Sequence, residues 1–190
     1  MNKLNIGFAF TGSFCTFRKA VDTMKHLKAQ GHNILPIMSY NAYSTDTRFG
    51  KAEDFRNEIE GICLNPIFSS ISQSEPIGPK KLLDILIIEP CTGNTLAKLS
   101  YGIADTPVTL AAKSHLRNGR PVLIAISTND ALSGAAKNIG NLMNYKNIYF
   151  IPYKQDDHIN KPTSIVADFS LTEKAMEQAL QGKQLQPLIL

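Results

Sequence analysis

Five short apolar runs punctuate the chain, at residues 4–10, 34–38, 85–88, 122–126 and 148–151. None alternates cleanly between apolar and polar positions, which is the pattern of strands buried on both faces. Helical patterns separate most of them. In the segment after the first run, Ala20, Met24, Leu27 and Lys28 carry a helical stripe, with Gly31 as its stop. Further helices are predicted over 94–104 and 131–143. A last one is predicted from Ser170 to about Leu180, where "SLTE" reads as a capping box of Ser170 and Glu173 and Gly182 lies just past the end. Strand and helix alternating in this way imply a parallel sheet covered by helices on both faces. Residues 41–81 are less regular, "YKQDDHINKP" reads as a loop, and "QLQPLIL" as a tail.

The length of 190 residues suits a single domain over 1–190. Hydrophobic residues at 43% and charged residues at 19% place it with ordinary globular proteins. The net charge of +4 comes from intermixed acids and bases without a dense Lys/Arg run, so no nucleic-acid footprint is read. No run reaches membrane-spanning length, and the first apolar stretch is too short for a signal sequence. Cys15, Cys63 and Cys91 are odd in number and widely spaced, which suggests no disulfide framework and a reducing cytoplasm. Cys15 and Cys91 read as packing residues. His26 and His32 read as surface residues, and His115 and His158 lack the spacing of metal ligands, so no metal is expected.

The candidate chemistry lies in the turns after the strands, because open parallel sheets bind ligands at their carboxyl edge. Those turns carry Thr11, Gly12 and Ser13; Ser39; Thr92, Gly93, Asn94 and Thr95; and Ser127 to Asp130. From Leu4 onward the first acid is Asp22, and after Glu89 the next is Asp105. Helix starts ordinarily favour acids, so two without them suit an external anion held by N–H groups and hydroxyls. The alternative is a set of ordinary Ser and Thr caps. "GFAFTGSF" is not a dinucleotide fingerprint, Ser39 stands where that fold places an acid for the ribose, and "TGSF" lacks the lysine of a P-loop. One phosphate without metal, joined to a flat group over the sheet edge, remains. A mononucleotide such as FMN fits.

"PCTGNTLAKLSYGIAD" at residues 90–105 resembles the P-x-S-A-N-T-L-A-K…G-I-A-D signature of the flavin-containing cysteine decarboxylases and flavin prenyltransferases. "FTGS" and Ser39 resemble that family's other phosphate elements. "STDTRFG", "EPIGPKKLLD", "NGRPVLIAISTNDAL" and "KNIYFIPYKQDD" are similar to one branch, the B subunits of bacterial dipicolinate synthases. The resemblance implies a flavodoxin-like (Rossmann-like) three-layer fold and a homo-oligomer built from trimers. It also implies bound FMN, a partner A subunit carrying NADP, and the cytoplasm of the mother cell of a spore-forming bacterium. The departures matter too. No His occurs between His32 and His115, where the decarboxylases place a catalytic one. "STNDALSGAAKNIGNLM" lacks their P-x-M-N-x-x-M-W clamp, and Ser127 and Thr128 replace the prenyltransferase arginine.

The expected cofactor residues are therefore Thr11, Gly12, Ser13, Ser39, Thr92, Gly93, Asn94, Thr95 and Ser127. Asn94 can donate and accept through one planar amide, holding a carboxylate or the flavin edge, or it is simply a cap. The branch's substrate, dihydrodipicolinate, is a small dicarboxylate, and Arg48 is the expected partner for one of its carboxylates, unless it makes a surface ion pair. Arg117 and Arg120 are alternatives in a solvated turn. Aromatisation removes a hydride and a proton. Two classes of function follow: an oxidoreductase subunit, or a scaffold that positions substrate on a vestigial pocket. A cysteine-type decarboxylase is a third reading, opposed by the missing His and clamp.

Overall fold

The computed structural model describes residues 3–190; Met1 and Asn2, part of the short N-terminal stretch read above, lie outside the described residues. Strand β1 (Asn5–Phe10) leads into helix α1 (Phe14–Ala29), and β2 (Asn33–Met38) into α2 (Tyr40–Ser44), α3 (Ala52–Cys63) and α4 (Ile71–Ser74). Strand β3 (Ile85–Cys91) is followed by α5 (Gly93–Ser100) and α6 (Pro107–Leu116), and β4 (Val122–Thr128) by α7 (Ala136–Met143). The chain ends with β5 (Ile148–Phe150), β6 (Tyr153–Lys154), β7 (Ile165–Ala167) and α8 (Thr172–Leu180). Parallel pairing gives the order β2-β1-β3-β4-β5, the flavodoxin-like arrangement. Among the described residues no helix is long and apolar enough to cross a membrane.

The sheet is mixed rather than wholly parallel. β5 pairs only with Val122 to Ile124, so the end of β4 would be left with open backbone groups. Those at Ser127 and Thr128 pair antiparallel with β7, which in turn pairs with β6. The segment read as a loop is thus a hairpin folded over the carboxyl edge. The tail is ordered as well: the Tyr153 N–H donates to the Leu188 carbonyl at 3.0 Å, and the Leu190 N–H to the Tyr153 carbonyl at 3.0 Å.

The core forms where the apolar runs predict it. Ile6, Phe8, Ile34, Ile87, Ile124 and their neighbours in the sheet are fully buried, and α1 covers one face through Phe17, Val21, Met24 and Leu27. Four helices escape the sequence reading: the short α2 and α4 in the segment read as irregular, and the longer α3 and α6. α6 is buried on almost every side, at Pro107, Val108, Thr109, Ala111, Ala112, Ser114 and His115, so it shows no polar face to read. α3 carries a legible stripe, Ala52, Phe55, Ile59 and Cys63, with Glu53 and Asp54 at its start. The last helix begins later than its capping motif suggests. Asp168, not Ser170, accepts from the Ser170 N–H and starts a 3-10 turn, and Glu173 instead reaches His26 at 2.9 Å.

Several other residues differ from expectation. His32 is buried and accepts from the Leu4 N–H at 3.3 Å; burial lowers its pKa. Cys15 is exposed, whereas Cys91 is buried in the core as expected. Arg120 is half-buried and donates to the Leu83 and Lys81 carbonyls at the amino end of β3, far from the ligand-binding edge of such a sheet.

The edge that matters is held by Thr11. Its hydroxyl donates to the Pro90 carbonyl at 2.7 Å and accepts from the Thr92 N–H at 3.0 Å, locking the end of β1 to the end of β3. Next to it, Glu89 is fully buried: Thr172 donates to its Oε2 at 2.8 Å, while Oε1 has no partner. Burial pushes this carboxyl up to about 8, against a smaller opposing effect of hydrogen bonding.

Thr11→Val keeps the shape but leaves the Thr92 N–H unpaired, so it is expected to destabilise the fold by about 1–3 kcal/mol, read as a lower urea midpoint; Thr11→Ser should retain most of the wild-type value. Glu89 makes stability depend on pH. Its folded pKa is raised, so its stabilising contribution is full below about 4.5 and is lost as pH rises through about 8. His115, buried and lowered to about 4, and His32, also lowered, act oppositely below about 6.5. Between pH 6.5 and 8 the Glu89 effect is therefore unopposed by them. Melting temperature should fall with pH in that window, at most by the equivalent of about 1.4 kcal/mol per pH unit, and Glu89→Gln should flatten the fall. A Glu89→Gln profile parallel to wild type would show that Glu89 is ionised in the fold.

Candidate functional site

Parallel strands deliver the turns after β1, β3 and β4 to the same edge, and there they border an open cleft of about 770 Å³. From the first turn come Gly12 and Ser13, from the second Thr92, Gly93 and Asn94, and from the third Ser127 to Asp130. Arg48 and Phe49 enter from the loop between α2 and α3. Asp156, Lys161 and Ser164 enter from the β6–β7 hairpin.

The α1 start is the more open of the two helix termini. Ser13 occupies the N-cap position but makes no side-chain cap, and no acid follows in the first turn. Its hydroxyl instead meets that of Ser127 at 2.7 Å. Thr16 joins them, 3.0 Å from the Ser127 hydroxyl and 3.3 Å from that of Ser13. Three hydroxyls thus converge beside the orphan N–H groups of a 16-residue helix. A methyl placed on Gly12 would find its nearest neighbour at 3.6 Å, so the backbone there is approachable.

At the α5 start Thr92 is a true cap, accepting from the Thr95 N–H at 3.3 Å, and again the first turn holds no acid of its own. Asn94 is exposed and its side chain makes no hydrogen bond among the described residues. Gly93 is required by its neighbours: a methyl there would lie 2.7 Å from Asp130 Oδ1 and 2.9 Å from Thr128 Oγ1. Arg48 is exposed, lies 4.9 Å from the centroid of the Phe49 ring, and pairs with no carboxylate among the described residues.

Seven of the anticipated residues line the cleft together: Gly12, Ser13, Arg48, Thr92, Gly93, Asn94 and Ser127. Three do not. Thr11 is buried in its clamp between β1 and β3. Thr95 is buried, with its hydroxyl 3.1 Å from that of Thr92. Ser39 accepts from the Ala42 N–H at 3.3 Å and caps α2 beside the cleft. Thr16, Asp156, Lys161 and Ser164 escaped the sequence reading. Thr16 was legible as a hydroxyl one position beyond Cys15, but nothing in the polar hairpin marks three of its residues as facing a site formed over 25 positions earlier. The edge carries two acids, Asp130 from the turn after β4 and Asp156, unanticipated, from the hairpin. Burial raises the Asp156 pKa, but hydrogen bonds from Ser164 and Lys161 outweigh it and the net shift is downward.

The geometry fits an anionic ligand: donors without acids at the α1 start, a guanidinium at the rim that pairs with no carboxylate among the described residues, and a volume within the range of cofactor clefts. The family model described as Flavoprotein matches residues 1–177. The B subunit of dipicolinate synthase from Bacillus subtilis (strain 168) is 43% identical over 185 residues, covering 97% of this chain and 92% of that one. The crystal structure of the corresponding B subunit from Bacillus halodurans C superposes with a TM-score of 0.91 at 42% identity, covering 100% of this chain and 98% of that one. DmrB of Burkholderia xenovorans in complex with FMN shares the fold, with a TM-score of 0.68 at 16% identity over 93% of this chain and 95% of that one. This chain belongs to the Flavoprotein family, and within it is similar to the B subunits of dipicolinate synthase.

Proposed function

We propose that this chain is the B subunit of a dipicolinate synthase, which holds FMN in the cleft and works with an NADP-binding A subunit to oxidise dihydrodipicolinate to dipicolinate during sporulation. The observation that carries the reading is the cleft itself, where the uncapped α1 start, the Ser13–Thr16–Ser127 hydroxyls, Asn94 and Arg48, unpaired among the described residues, share one sheet edge. The 43% identical relative, a B subunit of dipicolinate synthase, supports the substrate and the partner, and the FMN-bound DmrB structure supports the cofactor. The working assembly in this reading is a homo-oligomer built from trimers.

The residues divide the work. Gly12, Ser13 and the first N–H groups of α1 hold the phosphate, with Thr16 and Ser127 orienting the Ser13 hydroxyl. FMN, when bound, supplies a two-electron acceptor. Arg48 pairs with a substrate carboxylate through its two-pronged guanidinium, and Asn94 holds the ring or the second carboxylate. A scaffolding role is the second reading, and one observation favours it. None of the four histidines lines the cleft, so this chain offers no imidazole base for the proton. An absorbance spectrum separates the two: flavin bands in the purified protein belong to the first reading, and a colourless protein fully active beside its partner belongs to the second.

Ser13→Asp places a fixed carboxylate where the phosphate sits. It should weaken FMN binding by roughly a hundredfold, measured by quenching of flavin fluorescence, with the melting temperature preserved. Unchanged affinity would remove Ser13 from the phosphate site. Arg48→Ala and Asn94→Ala should each lower synthase activity of the reconstituted pair by about ten- to a hundredfold, with partner binding intact. Arg48→Lys should recover only part, since an ammonium cannot form the two-pronged pair. Wild-type kinetics in Arg48→Ala would make Arg48 a solvated surface residue.

A further inference from the structure

Two carboxylates face the cleft, and they differ: Asp156 is paired with Lys161 at 3.2 Å, whereas Asp130 has no cationic partner among the described residues. It follows the end of β4 and is pressed against the first residue of α5, where a methyl on Gly93 would lie 2.7 Å from its Oδ1. A methyl on Gly134 would lie 3.3 Å from its Oδ2. The Thr128 hydroxyl donates to Oδ1 at 2.6 Å. The turn around it is firmly held. The Asp130 carbonyl accepts from the N–H groups of Ser133 and Ala135, and the Asn129 carbonyl accepts the Thr163 hydroxyl at 2.6 Å. Among the described residues no Lys, Arg or His lies within ion-pair distance of this carboxylate, and Oδ2 accepts no hydrogen bond.

The two helix starts of the cleft are therefore unlike in charge. At α1 the first turn holds no acid and the Ser13 hydroxyl meets that of Ser127, so the helix start itself sets no carboxylate against an arriving anion. At α5 a fixed carboxylate already answers the positive end of the helix, and a second anion would meet it at close range. What Asp130 can take is a hydrogen-bond donor, through the oxygen that Thr128 leaves free. We propose that Asp130 is the specificity-determining residue of the cleft: it bars anions from the α5 start and accepts an N–H donor of the bound ligand. The ligand then lies with its anionic groups toward Ser13 and Arg48 and its N–H-bearing ring edge toward Asp130 and Asn94. Asn94 accordingly meets the ring rather than a second carboxylate. The donor half of this assignment rests on the flavin reading above; the exclusion of anions does not.

Two titrations test it on the full chain. In the first, ¹⁵N-labelled protein is titrated with inorganic phosphate. Wild type should show shifts at the Gly12 and Ser13 amides but not at Gly93 and Asn94, whereas Asp130→Asn should shift both sets. Equal shifts at Gly93 and Asn94 in wild type and variant would overturn the exclusion. In the second, FMN and riboflavin, which share the ring and differ in the phosphate, are titrated into wild type and Asp130→Ala, which, unlike Asp130→Asn, keeps no oxygen to accept an N–H. Loss of a ring-edge contact should weaken both ligands by the same factor of about ten. Unchanged affinities, or tighter FMN binding with riboflavin unaffected, would overturn the donor role. Asp130→Ser, which removes the charge with a smaller side chain, serves as the second variant in the phosphate titration, and an unaltered amide spectrum away from the cleft verifies folding. If wild type binds neither flavin, the cofactor reading fails, while the phosphate titration still decides whether Asp130 excludes anions.

Discussion

The cleft depends on one hydroxyl. Thr11 stands where β1 ends, and its side chain bonds both the carbonyl of Pro90 and the N–H of Thr92, two groups separated by a residue of β3. The first of those bonds is buried and the second partly so, and there an unpaired amide is costly. They set the spacing of the two strand ends, and with it the relative position of the α1 and α5 starts. Every ligand contact inferred above is measured from those two points. Thr11 thus shapes the site without lining it, which is why a turn of hydroxyls divides into one that holds the frame and others that face the cleft.

On that frame the cleft is built with contrasting ends. Ser13, Thr16 and Ser127 share hydrogen bonds among themselves, so their hydroxyls are oriented before any ligand arrives. At the α5 start Thr128 and Asp130 close against Gly93, a contact too tight for a side chain there. Such preorganisation lowers the ordering needed on binding and gives the cleft a direction along which a polar ligand can align. The β6–β7 hairpin completes the wall through Asp156, Lys161 and Ser164, and its antiparallel pairing with the end of β4 fixes where they stand.

Buried ionisable groups surround this arrangement without entering it. Glu89 lies at the end of β3 beneath α8, with Thr172 as its partner, and His115 is enclosed beside Pro121 at the other end of the sheet. Both are held neutral by burial near neutral pH, so they tie the helices to the sheet without placing charge in the core.

Much of this was legible in the chain. Five apolar runs without alternation specify buried parallel strands, because strands covered on both faces need no polar positions. The acid-free turns at Ser13 and Thr92 mark two helix starts, and the Thr92–Thr95 turn resembles the signature quoted for the family, so the choice of sheet edge follows from local chemistry. The helix α6 was not legible, since a helix buried all round has no amphipathic stripe. Nor was the hairpin: its strands are two and three residues long, and their pairing is with the end of β4, determined by the early stop of β5. The division of labour within one hydroxyl-rich turn was also beyond local reading. Thr11, Ser13 and Thr95 are alike in chemistry, and only the packing of one strand end against another decides which hydroxyl is spent on the backbone and which remains for a ligand.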